Sequence, residues 1–257
     1  MAELANAHHI FARPVVPSDL SLQMIGYRPR RRAVVKVACG DEVVYVKVLR
    51  ARLFDDVLAR HRLLADAGLP VAQVAATTDD HLLVLRELPG RPLARAIFDA
   101  AEPCSAEALI ELLDAMPVSV ALLDRRPPWS DAVSHYARMV AAAMPALQSR
   151  LDWLVDTIGQ GLAGIPTGNE PTHGDFHEGQ VHVGGGRVCG LLDTDTIGPG
   201  RRADDLACLV AHLSTIQRMN ATQEARVHSL IRRWVPVFDT RVDATELRLR
   251  SAAVIIS

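Results

Sequence analysis

Residues 171–183, PTHGDFHEGQVHV, crowd three histidines, an aspartate and a glutamate into one short stretch. A second polar burst, LLDTDTIGPG, follows at 191–200. Taken alone, these groups suit metal binding, hydrolysis or phosphate transfer. Their spacing is more informative. His173, Asp175 and Gln180 form H-x-D-x-x-x-x-Q, and Asp193 stands thirteen positions after Gln180. A loop–strand–turn–strand unit can bring Asp175, Gln180 and Asp193 around one point. A carboxylate there can accept the proton of an attacking hydroxyl. A carboxylate and an amide oxygen are hard ligands that suit Mg²⁺. That is the equipment of phosphoryl transfer, in which the protein mainly positions groups and neutralises charge.

The elements that must hold these residues divide at Pro89-Gly90, giving lobes at 1–88 and 89–257. In the first, 31–50 reads as a hairpin, two β-branched runs flanking CGDE. A helix follows with Leu53, Val57, Leu63 and Leu64 on one side, stopped by Gly68 and Pro70. The run 81–88 is a strand, and PGRP at 89–92 is a joint. Beyond it the chain turns helical. Ser105 and Ser130 stand where they can cap helices, and LQSRLDWLVDTIGQGL makes a third. QVHV and RVCGLLD form a small hairpin carrying the two bursts. Three more helical runs start near 203, 223 and 244. The expected fold class is α+β: a small β-rich lobe, then a larger, mostly helical one.

Composition agrees with a globular protein. The chain has 257 residues, 49% of them apolar, and a net charge of −2, which gives no reason to expect a nucleic-acid partner. Four cysteines without CxxC spacing imply reduced thiols and argue against a zinc ribbon. With neither a signal-peptide pattern nor a run of membrane-spanning length, the expected location is cytoplasmic. Lys36 and Lys47 are the only lysines. Lys47, set as V-K-V in an apolar strand, is costly there without an anionic partner.

HGDFHEGQ followed by GLLDTDTIGPGRRADDLA resembles the signature of the aminoglycoside phosphotransferase and choline kinase superfamily, which has the protein-kinase-like two-lobed fold. The family pattern is H-G-D-x-x-x-x-N, then a strand ending I-D-x-D, then D-L-A opening a helix. VVYVKVLR is similar to the small-lobe strand bearing the nucleotide lysine, and LRELPGRPL to the hinge. The resemblance implies ATP and Mg²⁺ as cofactors, ATP in the cleft between the lobes, and a small-molecule acceptor, aminoglycoside or sugar-like. It gives Asp175 as catalytic base, Gln180 and Asp193 as metal ligands, and Lys47 on the α- and β-phosphates; Asp195 is either a second metal ligand or a turn-former before TIGPG. Glu87 and Leu88 would meet adenine through their backbone, and Asp205 would brace the catalytic loop. Acceptor contacts would come from 130–160 and 205–240.

Three departures stand out. Gln replaces Asn at 180, as in sugar-kinase branches such as maltokinases and glucosamine kinases. YRPRRR at 27–32 takes the place of a glycine-rich loop, so Arg30, Arg31 and Arg32 are either a solvated charge run or a phosphate cradle. No Glu follows Lys47 in the helix; only Asp55 and Asp56 are near. Two rival readings follow. His173, Asp175, His177, Asp193 and Asp195 could be a hydrolase's dinuclear metal cluster, or the chain could be a nucleotide-binding pseudokinase. His182 reads as strand packing, and Asp204 as solvated or a helix cap.

Overall fold

A computed structural model describes residues 1–30, 32–99, 102–217 and 219–257, which form two compact units, Met1–Pro89 and Gly90–Ser257. Arg31 lies outside the described residues.

The first unit begins with a short helix α1 (Ala2–Ala7) and strand β1 (Ser21–Arg28). The expected hairpin follows as β2 (Arg32–Cys39) and β3 (Glu42–Val48), turning at Gly40 with φ +57°. Helix α2 (Ala51–Asp66), β4 (Val74–Thr77) and β5 (Leu82–Arg86) complete an antiparallel sheet of order β1-β2-β3-β5-β4. Side chains alternate between the two faces of a strand. Val44 and Val46 therefore share one face with Val37, Cys39, Ala76 and Val84, packed against Ala5, Ile10, Phe11 and Val15 from the N-terminal segment. Lys47 and Tyr45 face the other way, as does Lys36, which pairs with Tyr45.

Two expectations need correcting here. The buried stripe of α2 is Phe54, Val57, Leu58, Arg60, His61 and Leu64, with Leu53 and Leu63 only half-buried at its margins. The polar members Arg60 and His61 are held by Asp56 (2.9 Å) and by the Ala72 carbonyl (2.6 Å), so their polarity did not keep them outside. In addition, YR of YRPRRR belongs to β1, a strand whose residues are exposed throughout.

The second unit opens with β6 (Arg91–Pro92), α3 (Leu93–Ala96) and α4 (Ala106–Asp114), the last capped by Ser105 as expected. Helices α5 (Val133–Ala143) and α6 (Gln148–Leu162) follow. Next come β7 (Glu170–Thr172), the hairpin β8 (Val181–Gly184) with β9 (Arg187–Leu191), and β10 (Gly198–Gly200). Helices α7 (Arg202–Thr215), α8 (Ala221–Phe238) and α9 (Ala244–Ile256) end the chain. Val133, Ile158 and Ala253 join α5, α6 and α9. Among the described residues no helix is long and apolar enough to cross a membrane.

Ser130 does not cap α5. It lies in a 3₁₀ turn, Trp129–Ala132, and its buried hydroxyl donates to Asp204 at 2.8 Å. Asp204 in turn is neither solvated nor a cap. It pairs with Arg250 of α9 at 2.7 Å, and Arg250 also pairs with Glu246, which Arg201 bonds from the start of α7. Both members of the Arg250–Asp204 pair are mostly buried, so removing one partner leaves an uncompensated charge. Arg250→Met should therefore cost about 3–5 kcal/mol in chemical denaturation. Adding Asp204→Asn should recover part of the loss. An unchanged midpoint in the single variant contradicts this account of the α7–α9 contact.

Candidate active site

The chain path assembles the site. Strand β7 leads into the loop 173–180, the β8–β9 hairpin carries the chain out and back, and β10 then pairs with β7, Gly198 opposite Thr172. The stretch 192–196 is thereby returned beside the loop it left. His173 joins the two directly, its Nε2 lying 2.8 Å from the Leu192 carbonyl while its Nδ1 accepts from the Asp175 amide. Thr196 donates to the His173 carbonyl. His173 is fully buried with both ring nitrogens engaged. It is a structural residue, which removes it from any metal cluster and breaks up the hydrolase set.

Beneath the loop lies Asp205, the helix-opening acid. Its two carboxylate oxygens accept from the His173 and Gly174 amides, each at 2.8 Å. Burial pushes its carboxyl above the usual range, opposed by Arg202 beside it and by those two amides. Gly174 has φ +80°, and a Cβ there would lie 2.6 Å from the Thr196 carbonyl, so only glycine fits. Asp175 comes next and is half-buried. Its Oδ1 accepts from the indole of Trp129 at 3.0 Å, a partner the sequence had not suggested.

Asp193 follows β9 with φ +51°, a left-handed conformation that Asp tolerates better than most residues. It caps a 3₁₀ turn, Thr194–Thr196, which contains Asp195. Gln180 is anchored through its backbone, its carbonyl accepting from the Leu192 amide at 2.7 Å. Its side-chain amide lies 3.1 Å from His177 Nε2. The Gly179 amide donates to His177 Nδ1, so the neutral ring carries its proton on Nε2; the Gln180 nitrogen placed against it cannot accept that proton, and turning the amide over, so that its oxygen faces the ring, makes the bond. Burial and His212 both hold the His177 pKa below its usual value, which favours that neutral ring. His212 of α7 stacks on it, centroids 4.4 Å apart and planes 11° apart. His177, His212 and Glu178 place potential ligand atoms within 4.8 Å of one another. They are not the set expected for a hydrolase; Nδ1 of His177 and Nδ1 of His212 lie 3.8 and 3.7 Å from one Glu178 oxygen.

In the first unit, Lys47 is half-buried on β3 between Val34 and Leu83. Asp56 pairs with Arg60 at 2.9 Å. Glu87 is held by Tyr45, whose hydroxyl donates to it at 3.1 Å, and by Lys36 at 3.6 Å. Its amide donates to the Val43 carbonyl, and Leu88 is buried. Arg30 is exposed in the β1–β2 turn, with φ +59°.

The model of the phosphotransferase enzyme family matches residues 25–237, and the chain belongs to that family. It is similar in structure to an aminoglycoside-3'-phosphotransferase of type VIII (19% identity, 96% of each chain covered, TM-score 0.59). It is also similar to the macrolide 2'-phosphotransferase MphH from Brachybacterium faecium (19% identity, 98% of this chain and 97% of that one, TM-score 0.55). A third likeness is to a thermostable mutant of aminoglycoside phosphotransferase APH(4)-Ia in ternary complex with ADP and hygromycin B (16% identity, 92% and 83%, TM-score 0.60). At these identities the likeness speaks for the fold. No curated protein matches the chain in sequence.

The left-handed backbone at Asp193 separates conformation from charge. Asn shares Asp's tolerance of this region, and Ala does not. Asp193→Asn should melt near the parent while losing activity. Asp193→Ala should lose activity and in addition about 1 kcal/mol of stability or more. Equal melting of the two variants contradicts the strain argument.

Proposed function

We propose that the protein is an ATP- and Mg²⁺-dependent phosphotransferase that moves the γ-phosphate to a hydroxyl of a small polar molecule, an aminoglycoside, an amino sugar or another sugar. The observation that carries this reading is the loop pinned by Asp205 and tied through His173 to the end of β9. It holds the carboxylate that would take a proton, Asp175, and the one that would meet the metal, Asp193, on one rigid piece of backbone. The division of labour assigned to the two units, nucleotide grip in 1–88 and catalysis with acceptor binding in 89–257, belongs to the same proposal.

Asp175 takes the hydroxyl proton as the acceptor oxygen bonds to the γ-phosphorus and the bond to the departing ADP breaks. Asp193, Asp195 and the Gln180 oxygen would hold Mg²⁺. These are hard oxygens, and the amide oxygen keeps a second lone pair after accepting from His177, so the donor set fits. Mg²⁺, when bound, offsets the phosphates' negative charge. Lys47 grips the phosphates that are not transferred, with Arg30 and the β1–β2 turn beside them. Because the Glu87 amide is committed to Val43, the adenine contacts fall to the Glu87 carbonyl and the Leu88 amide.

Measuring ATP consumption across aminoglycosides, amino sugars, hexoses, maltose and choline tests the reading, and no consumption with any of them counts against it. Asp175→Asn keeps the shape and removes the proton acceptor. Turnover should fall about 10²-fold or more at an unchanged melting temperature; near-normal turnover refutes the assignment. Gln180→Ala should raise the Mg²⁺ concentration for half-maximal rate. His177→Phe, which keeps a ring against His212 but loses the N–H, should raise it about 10-fold. If both variants keep the parent's Mg²⁺ dependence, Gln180 braces the loop and the metal rests on Asp193 and Asp195.

A further inference from the structure

The histidine stack borders a polar atom that the fold leaves unused. Oε2 of Glu178 is buried, and among the described residues no hydrogen bond reaches it. The residue itself is well anchored, its carbonyl accepting from the Ala94 amide of α3 at 2.9 Å. A buried carboxylate oxygen without a donor is costly. The Nδ1 atoms of His177 and His212, at 3.8 and 3.7 Å, are too far away to hydrogen-bond to it. His177 carries its proton on Nε2, so its Nδ1 has only a lone pair to offer. What satisfies a cluster of acceptors at once is a cation.

We propose that His177, Glu178 and His212 hold a zinc ion, which ties the loop 173–180 to α7. Two imidazoles and a carboxylate form a donor set that suits zinc better than Mg²⁺. The site is thus chemically distinct from the oxygens of Gln180, Asp193 and Asp195. Four-coordinate zinc holds nitrogen and oxygen ligands at roughly 2.0–2.2 Å, and so about 3.3 Å from one another. The three ligand atoms already lie within 4.8 Å of one another. Closing the site asks for about half an ångström at Glu178 and a turn of one ring. The ring planes, 11° apart, must tilt toward each other for both lone pairs to meet one ion. His212, with 40% of its side chain exposed, is free to turn, whereas His177 is held against Gln180. The fourth position is left to water. On Nδ1 the ion displaces the Gly179 N–H and leaves the Nε2 proton on the Gln180 oxygen. Metal-bound histidines usually donate their other ring N–H to an oxygen, and His177 already has that arrangement.

Titrating the metal-stripped chain with zinc chloride in a calorimeter tests the site. One ion should bind per chain, and zinc at a hundred times its Kd should raise the melting temperature by about 5 °C or more. His212→Phe keeps a stacked ring and removes a ligand. Glu178→Gln keeps the shape and removes the charge. Each should weaken zinc binding about 100-fold or more and abolish the melting shift. A measurement on the parent alone covers the case in which a variant folds poorly. Co²⁺ in place of zinc should shift the ring-proton NMR signals of His177 and His212 and leave those of His8 and His9 in place. A parent that binds no zinc overturns the site. Parental affinity in both variants does so too, as does Co²⁺ that shifts only His8 and His9. Phosphotransfer, assayed with Mg²⁺ and without zinc, stands or falls separately from all of these results.

Discussion

Everything at the site hangs from one buried carboxylate. Asp205 is 1% exposed, and a lone ion at that depth would be prohibitively costly. Its cost is offset by the amides of His173 and Gly174 and by Arg202, itself 2% exposed. Arg202 also reaches the Leu113 carbonyl at the end of α4, and its amide donates to Glu170 on β7. One ion pair therefore fastens α7, α4 and β7 to the turn that presents Asp175. Hydrogen bonds to a charged group are stronger than neutral ones and more sharply directional. The loop inherits that rigidity where, on the proposed reading, a proton is taken from a defined position.

The backbone around this anchor has little freedom left. Gly174 must be glycine because a carbonyl occupies the place of its Cβ, and Asp193 sits in a region that few side chains accept. His173 then spans the gap from the loop to Leu192. Two backbone positions of unusual conformation, braced by one buried histidine and one buried aspartate, set the spacing between the proposed base and the proposed metal ligand. Strain held by its surroundings in this way is common where geometry matters more than stability.

Much of this was legible in the sequence, because the chemistry and the local periods agreed. The β2–β3 turn at Gly40, the Ser105 cap, the β8–β9 hairpin and the D-L-A helix each carry a local signal, and the H-x-D loop carries a chemical one. The parts that were missed depend on contacts distant in sequence. Strand β1 is exposed throughout and pairs only along one edge, so no alternation of burial marked it. Ser130 looks like a cap and Asp204 like a surface acid until the two bond each other and Arg250, from α9, joins them. Trp129 stands forty-six residues before its partner Asp175. His212 meets His177 only because α7 folds back over the loop. No window of sequence contains either pair.

The glutamine at 180 illustrates how one substitution brings others with it. Asn, one methylene shorter, would keep its oxygen closer to the backbone. Gln reaches further and has one more rotatable bond, which must be fixed if the oxygen is to serve a metal that tolerates little displacement. His177 supplies that constraint, and its own tautomer is set by the Gly179 amide. A side chain at 179 would collide with the His177 ring, its Cβ falling 2.8 Å from Cε1. His212, stacked on the ring of His177, limits that ring's tilt. Gln180, Gly179, His177 and His212 thus form one mechanical unit, in which the extra methylene at 180 is matched by a ring that holds it and a glycine that admits the ring.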